Sequence, residues 1–442
     1  DYVICDSDSS LYLKNYMNLN ISRLGSPLQG VDIRVQDGDT TIYSTIYFGG
    51  ANQKTNTQGS LSSDILVIYK MYDGSSTATD NETSVKVRIG DWFKLSQSTI
   101  DDYTVFDFSV PHFRVTNTDT SKKYAYVQTA IDNATSGNTI VLEAGIYREN
   151  IIIDKQLSLR GSSTEQQIVW DGLHTSKATI FTVDNSDGFG APPLANSSQA
   201  AITVFADDVN IETLILANFT HGIYVEASND VDISDVATVR TQVSGISIVS
   251  SDSVTISGFF ISGRDTTGTG ISIGDSASSV QLFGSQSEST VILGCDTAIL
   301  VNGDDVSIDG VELVSNDDGI HITATASDVI LANNIIQNNG GNGIKVSGLT
   351  SGTNKFYGNI IYDNGNTEFR IVSSSNLEIY ENTISDSEFG YGIHLTDGSE
   401  NEIYDNILHV STWLDRSDRT LIYDNEFVNI TGGSATYDES AL

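Results

Sequence analysis

The chain has 442 residues, with 58 Asp+Glu against 22 Lys+Arg and a formal net charge of −36. Such a surface repels phosphate backbones and anionic headgroups, which excludes ordinary nucleic-acid binding and disfavours anionic lipid as a partner. No run of about 18 apolar residues occurs, so no membrane span is predicted; no signal peptide is visible, although a chain starting at Asp1 fits a processed secreted protein.

Residues 1–24 contain Leu11-Tyr12-Leu13 and Met17-Asn18-Leu19-Asn20-Ile21, enough for one or two strands without an evident local partner. They read as an N-terminal extension that either pairs with its own neighbouring domain or is donated to the open sheet edge of another subunit. Residues 25–121 carry alternating runs at Val31–Val35, Thr41–Tyr43, Ile65–Tyr69, Val85–Ile89 and Tyr103–Phe108, separated by Gly, Asn, Asp and Ser turns. That pattern predicts a small antiparallel β-sandwich. Within it, Pro27–Val35 followed by Thr57–Leu61 resembles the transthyretin-like, carboxypeptidase-regulatory-type modules of secreted proteins. The polar stretch from Thr116 to Lys123 reads as a linker.

Residues 122–442 read as one solenoid. Tyr126–Ala134 has apolar residues at i, i+3, i+4 and i+7, which predicts one short amphipathic helix. The stretches Gly137–Ile151 and Lys155–Gly161 follow it directly. This opening resembles that of the right-handed parallel β-helix of the pectate-lyase-like superfamily, in which a capping helix precedes the first coil. The resemblance implies fold; the superfamily spans lyases, hydrolases, epimerases, esterases, adhesins and inert surface proteins, so it does not choose an activity. Asp184–Gln199 interrupts the coils, and an excursion of that length suggests function or an interface.

From Ile202 onward a V-x-I phrase returns about every two dozen residues. Its inward positions are read as Ile211, Ile233, Ile256, Leu282, Ile308, Ile330, Phe356, Ile379, Ile403 and Ile422. Strand periodicity, β-branched residues and Gly/Asn/Asp turns make this an all-β fold, a parallel β-helix of about a dozen coils behind the small sandwich. Asn333, Asn359, Asn382, Asn406 and Asn425 form one predicted side-chain ladder, and Tyr357, Tyr380, Tyr404 and Tyr423 an outward aromatic stripe. Such a stripe either stacks on itself or serves as a glycan-binding or subunit interface.

A second phrase, G-I-x-V/I, at Gly222, Gly245, Gly270, Gly319, Gly343 and Gly392, sets up an outward column of Tyr224, Ser247, Ser272, Leu300, His321, Lys345, Arg370 and His394, in which Arg370 is placed by aligning Glu368-Phe369-Arg370-Ile371 with Gly343-Ile344-Lys345-Val346. Four consecutive basic or potentially basic rungs in so acidic a chain suit a polyanionic sugar. Uronate lyases and C5-epimerases need a neutralised carboxylate, a base and an acid. Lys345 or Arg370 would neutralise, His321 or His394 would take the proton, and Tyr391 or Tyr380 would give one. The Asp-Pro-His motif of mannuronan epimerases is absent. Like-charged rungs can also be merely tolerated, screened by Asp318, Glu368 and Asp397.

Sequons stand at Asn20, Asn81, Asn133, Asn196, Asn218 and Asn429. Cys5 and Cys295 are the two cysteines, a candidate disulfide within or between chains, and no Cys-x-x-Cys spacing points to zinc. The pairs Asp207-Asp208, Asp304-Asp305 and Asp317-Asp318, with the Asp80-Asn81-Glu82 turn, are candidates for Ca²⁺ or else turn residues chosen for backbone reasons. Three functions are consistent with these features. The favoured one is an extracellular or cell-surface structural protein, a subunit of a filament, sheath or surface assembly that self-associates through its N-terminal segment or the β-helix ends. The others are a polysaccharide lyase or C5-epimerase acting on anionic glycans, and a non-catalytic glycan-binding adhesin.

Overall fold

The computed structural model describes residues 9–428, apart from residues 24, 74–78, 91, 112, 163–178, 183–198, 264–267, 285–289 and 386–390. The chain divides into two units, residues 1–116 with 122–130, and residues 117–121 with 131–442.

In the first unit two small sheets share one apolar core. One is built from Ser10–Arg23, Ser26–Pro27, Ile65–Asp73, Thr79–Asp80 and Thr104–Ser109; the other orders Thr40–Ser44, Asp32–Asp37, Thr83–Ile89 and Trp92–Ser98. Met17, Leu19 and Ile21 are buried with Val31, Ile33, Val35, Val67, Val85, Val87, Phe106 and Phe108. Of the N-terminal segment, Ser10–Arg23 takes the first of the two expected courses and pairs with its own neighbouring domain: it is a single long strand, antiparallel to Ile65–Asp73 and parallel to Thr104–Ser109. Its partners come from far along the chain, which is why no local pattern announced them.

The second unit is a parallel β-solenoid. One face is an eleven-stranded parallel sheet from Ile151–Ile153 to Ser411–Asp415. Eleven strands at the usual spacing span roughly 50 Å. The remaining strands form a second, bent sheet in which most coils add one strand on either side of a corner, as Ser327–Ala332 and Ile335–Gln337 do, while Val209–Ala217 and Asn229–Thr241 each run through the corner as one strand. Inward side chains stack coil on coil: Ile211, Ile233, Ile256, Leu282, Ile308, Leu331, Phe356, Ile379 and Ile403 are paired in succession and buried. Leu331, not Ile330, holds the inward place; Ile330 faces outward opposite Lys355.

The one-residue correction carries through to the ladder, whose members are Asn334, Asn359, Asn382, Asn406 and Asn425. Each Nδ2 donates to the next Oδ1 at 2.9–3.0 Å. Each Oδ1 also accepts the backbone N–H of the Asn before it. The corner has a fixed recipe: a residue in the left-handed region, then the buried Asn. Asn333 (φ 54°), Gly358 (φ 66°), Glu381 (φ 55°), Asp405 (φ 52°) and Asp424 (φ 53°) fill the first position. Asn333 is thus a turn residue, and Asn and Asp tolerate that conformation better than most. A second ladder, Asn316–Asn339–Asn364, follows the same recipe behind Ser315, Asn338 and Asp363 and ends on the buried Glu368 carboxylate.

The predicted helix forms over Val127–Asp132. The excursion Asp184–Gln199 lies outside the described residues, save Gln199.

Candidate functional site

Strand pairing in the eleven-stranded sheet lays one outward row along the solenoid: Tyr224, Ser247, Ser272, Leu300, His321, Lys345, Arg370, His394 and finally Trp413. At six rungs the Gly of the G-I phrase fixes the strand; at Leu300 and Arg370 its place is taken by Ala298 and Glu368, and pairing with the neighbouring coils keeps the register. At Gly343 an added Cβ would meet the Glu368 carbonyl at 2.6 Å and Ile361 at 2.8 Å, so the backbone passes close to the next coil and the residue two further on is held outward.

The cations of the row do not stand free. Lys345 Nζ lies 3.6 Å from Asp318 Oδ2, whose other oxygen accepts both Asn342 N and Asn342 Nδ2. Arg370 Nη1 donates to Thr396 Oγ1 at 2.8 Å and to the His394 carbonyl at 3.4 Å. Thr396 Oγ1 is in turn 3.4 Å from His394 Nε2. Tyr391 sits beside this group, its ring 5.3 Å from His394 and 5.2 Å from Trp413. Burial lowers the Arg370 guanidinium, with Asp415 opposing. Burial also holds His394 below the usual imidazole range, Arg370 adding to the effect and Asp415 opposing it. His321 is lowered by burial and then by Lys345, against Asp318, and its Nε2 is buried without a hydrogen-bond partner. Two neutral imidazoles therefore flank two cations.

Tyr357, Tyr380, Tyr404 and Tyr423 stack on the other sheet at centroid distances of 5.1, 5.0 and 5.1 Å, with interplanar angles of 12°, 4° and 5°. Because the rings occupy one another's faces, the stripe offers solvent mainly edges and hydroxyls. A sugar stacks on ring faces, so this geometry favours cohesion between coils over sugar stacking.

The acidic pairs serve turns. Asp208 and Asp305 have φ of 54° and 51°. Asp207 accepts Asn229 N at 2.7 Å, and Asp304 accepts Ser327 Oγ at 2.9 Å. Among the described residues no three His, Cys, Asp or Glu side chains gather as a metal site would require. Cys295 is a buried free thiol occupying the first rung of the second Asn ladder, where its N–H donates to Asn316 Oδ1. Burial pushes that thiol up to about 12. Cys5, Asn196 and Asn429 lie outside the described residues. Of the other sequons, Asn20 and Asn133 are exposed, and Asn81 and Asn218 half-buried.

Residues 278–437 match the family described as right handed beta helix region. A cell surface glycoprotein of Methanothermus fervidus is 31% identical over 114 residues, which are 25% of this chain and 15% of that protein's length. Among solved structures, the A-module of the Azotobacter vinelandii mannuronan C-5 epimerase superposes with a TM-score of 0.51 at 12% identity, over 68% of this chain and 89% of that one. DFA-IIIase from Arthrobacter chlorophenolicus A6 gives a TM-score of 0.45 at 12% identity, over 69% and 86%. The solenoid is a right-handed parallel β-helix; at these identities the likeness is one of fold.

Proposed function

We propose that this chain belongs to a secreted cell-surface structural protein, a subunit of an extracellular filament, sheath or surface assembly. The 31% match to a cell surface glycoprotein carries the reading. The organisation of the solenoid supports it: buried amides, tyrosines and aliphatic columns are all spent on joining coil to coil, and the cations of the outward row are tied to Asp318 and Thr396. The last described coil exposes Leu421, Tyr423 and Phe427, apolar side chains suited to end-to-end contact.

Surface protease treatment of intact producing cells, followed by negative-stain microscopy of the full chain in Ca²⁺ and in chelator, tests the proposal. Digestion and ordered polymers are expected, with the polymers lost in Leu421→Lys, Phe427→Lys. Protease-resistant intracellular protein would sink the surface reading, and monodisperse particles in every condition would sink assembly. Deleting residues 1–24 is a poor test, because it removes three core residues of the first unit.

A second reading, a lyase or C5-epimerase on anionic glycans, draws on one observation: His394 is held neutral beside Arg370, with Tyr391 in ring contact. In it Arg370 would neutralise a uronate carboxylate, His394 take the α-proton and Tyr391 supply one. Uronate polymers incubated with the chain should then give unsaturated or epimerised product, abolished in Lys345→Ala, Arg370→Ala.

A further inference from the structure

We infer that Asn20 carries an N-linked glycan and that this glycan overlies an exposed apolar stripe on the first unit. The inference rests on the surface reading above, since a sequon is modified only in an exported chain.

The strand Ser10–Arg23 buries Met17, Leu19 and Ile21, so its alternate residues Tyr12, Lys14, Tyr16, Asn18 and Asn20 share the opposite face. Pairing register extends that face to neighbouring strands: Tyr16 stands opposite Leu66, Asn18 opposite Val105 and Asn20 opposite Asp107. Tyr16, Leu66 and Val105 are 56%, 43% and 41% exposed, and Tyr12 is 47% exposed. These exposed apolar side chains alternate with the polar Lys14, Asn18 and Asn20, and apolar groups gathered on an exposed sheet face ordinarily have a cover. Asn20 lies on that face, one alternate position from Asn18 and Val105, and roughly 13 Å along the strand from Tyr16. A short oligosaccharide attached at Asn20 reaches Val105, Leu66 and Tyr16, the near part of the stripe; Tyr12 lies roughly 26 Å away along the strand.

The chemistry of the amide separates the sequons. N-glycosylation replaces one Nδ2–H and leaves the other. Nδ2 loses a proton to a base of the transferase and bonds the anomeric carbon of a lipid-phosphate-linked oligosaccharide. The carbon–oxygen bond to phosphate breaks, and the lipid phosphate leaves with the electron pair. Asn20 meets the requirement: it is exposed, and Nδ2 donates one N–H to Asp107 Oδ1 at 2.8 Å, a bond the glycosylated amide keeps. Asn81 does not. It is half-buried and its Nδ2 donates to both Asp37 Oδ1 of one sheet and the Ile68 carbonyl of the other, so a sugar there displaces one of the two hydrogen bonds that tie the sheets together.

The test is glycopeptide mass spectrometry of full-length protein from the cells that make it, alongside the surface-protease assay. Sugar mass is expected on the peptide bearing Asn20 and none on that bearing Asn81. Ser22→Ala, which removes the sequon but leaves the Asn20–Asp107 bond, should abolish the modification and raise binding of an apolar dye several-fold, with the circular dichroism spectrum unchanged. A surface-exposed protein with bare Asn20, or with sugar on Asn81, overturns the inference. Modification at Asn20 without a change in dye binding in Ser22→Ala overturns the covering role. Protein found only inside the cell overturns the surface reading itself.

Discussion

The amide of Asn382 makes four hydrogen bonds inside the corner, donating to the Phe356 carbonyl and Asn406 Oδ1 and accepting from the backbone and side chain of Asn359. Asn382→Ala leaves buried groups above and below unpaired, at about 1–3 kcal/mol for each one orphaned. A loss on the order of 3 kcal/mol is expected in denaturant unfolding. Asn333→Gly, at the exposed left-handed position beside the same ladder, should stay within about 0.5 kcal/mol, because Gly adopts that conformation freely. The opposite ranking would show that the ladder contributes nothing. The histidines add a pH dependence. His221, His321 and His394 all have folded-state values below the unfolded imidazole, first through burial. The native state then binds fewer protons than the unfolded chain, so their contribution is complete above the unfolded value near 6.5 and is lost as pH falls through their folded values. Melting temperature should drop as pH is lowered from 7 toward 5, less steeply in His321→Gln, His394→Gln. An unchanged slope would place the titrating groups elsewhere.

At the scale of strands and corners, close approach sets the limits. An added Cβ at Gly343 would collide with backbone of the next coil, so Gly343→Ala should cost about 1–3 kcal/mol by overpacking, although Ala is otherwise the better strand residue. Equal stability of the two proteins would mean that the coils can separate at no cost. The same scale shows what sequence made legible. Period-two alternation located the strands, and the basic row followed from the G-I phrase together with the alignment of Glu368-Phe369-Arg370-Ile371 on Gly343-Ile344-Lys345-Val346, because a parallel sheet pairs equivalent positions. The corner did not follow. In Asn333-Asn334 either residue can turn and either can be buried; pairing with Gly358-Asn359 one coil away decides it. The second ladder left a usable signal, the paired Ser315-Asn316, Asn338-Asn339 and Asp363-Asn364. The strand Ser10–Arg23 left little, since its partners are remote. The hydrogen bonds of Arg370 with Thr396 and His394 depend on side-chain reach that spacing does not encode.

For the molecule as a whole the net charge of −36 is the dominant electrostatic fact. Self-repulsion destabilises compact states and is screened over about 10 Å at 0.1 M salt, so added NaCl should raise the melting temperature. A fall would mean that pairs such as Arg419–Glu400 and Lys345–Asp318 outweigh the general repulsion. A solenoid whose coils touch mainly their neighbours gains stability by nearest-neighbour addition, and its ends are the places where it first opens.

Cys295 turns that expectation into something readable. It sits mid-solenoid, 1% exposed, with its thiol held protonated by burial. In a Cys5→Ser background a thiol-modifying reagent can reach this sulfur only when coils on either side part, so the labelling rate becomes a clock for internal breathing. Labelling slower than the fraying of terminal amides would describe a fibre-like element that melts from its ends. Labelling as fast as theirs would describe one that splits in the middle, between coils that have neighbours on both sides.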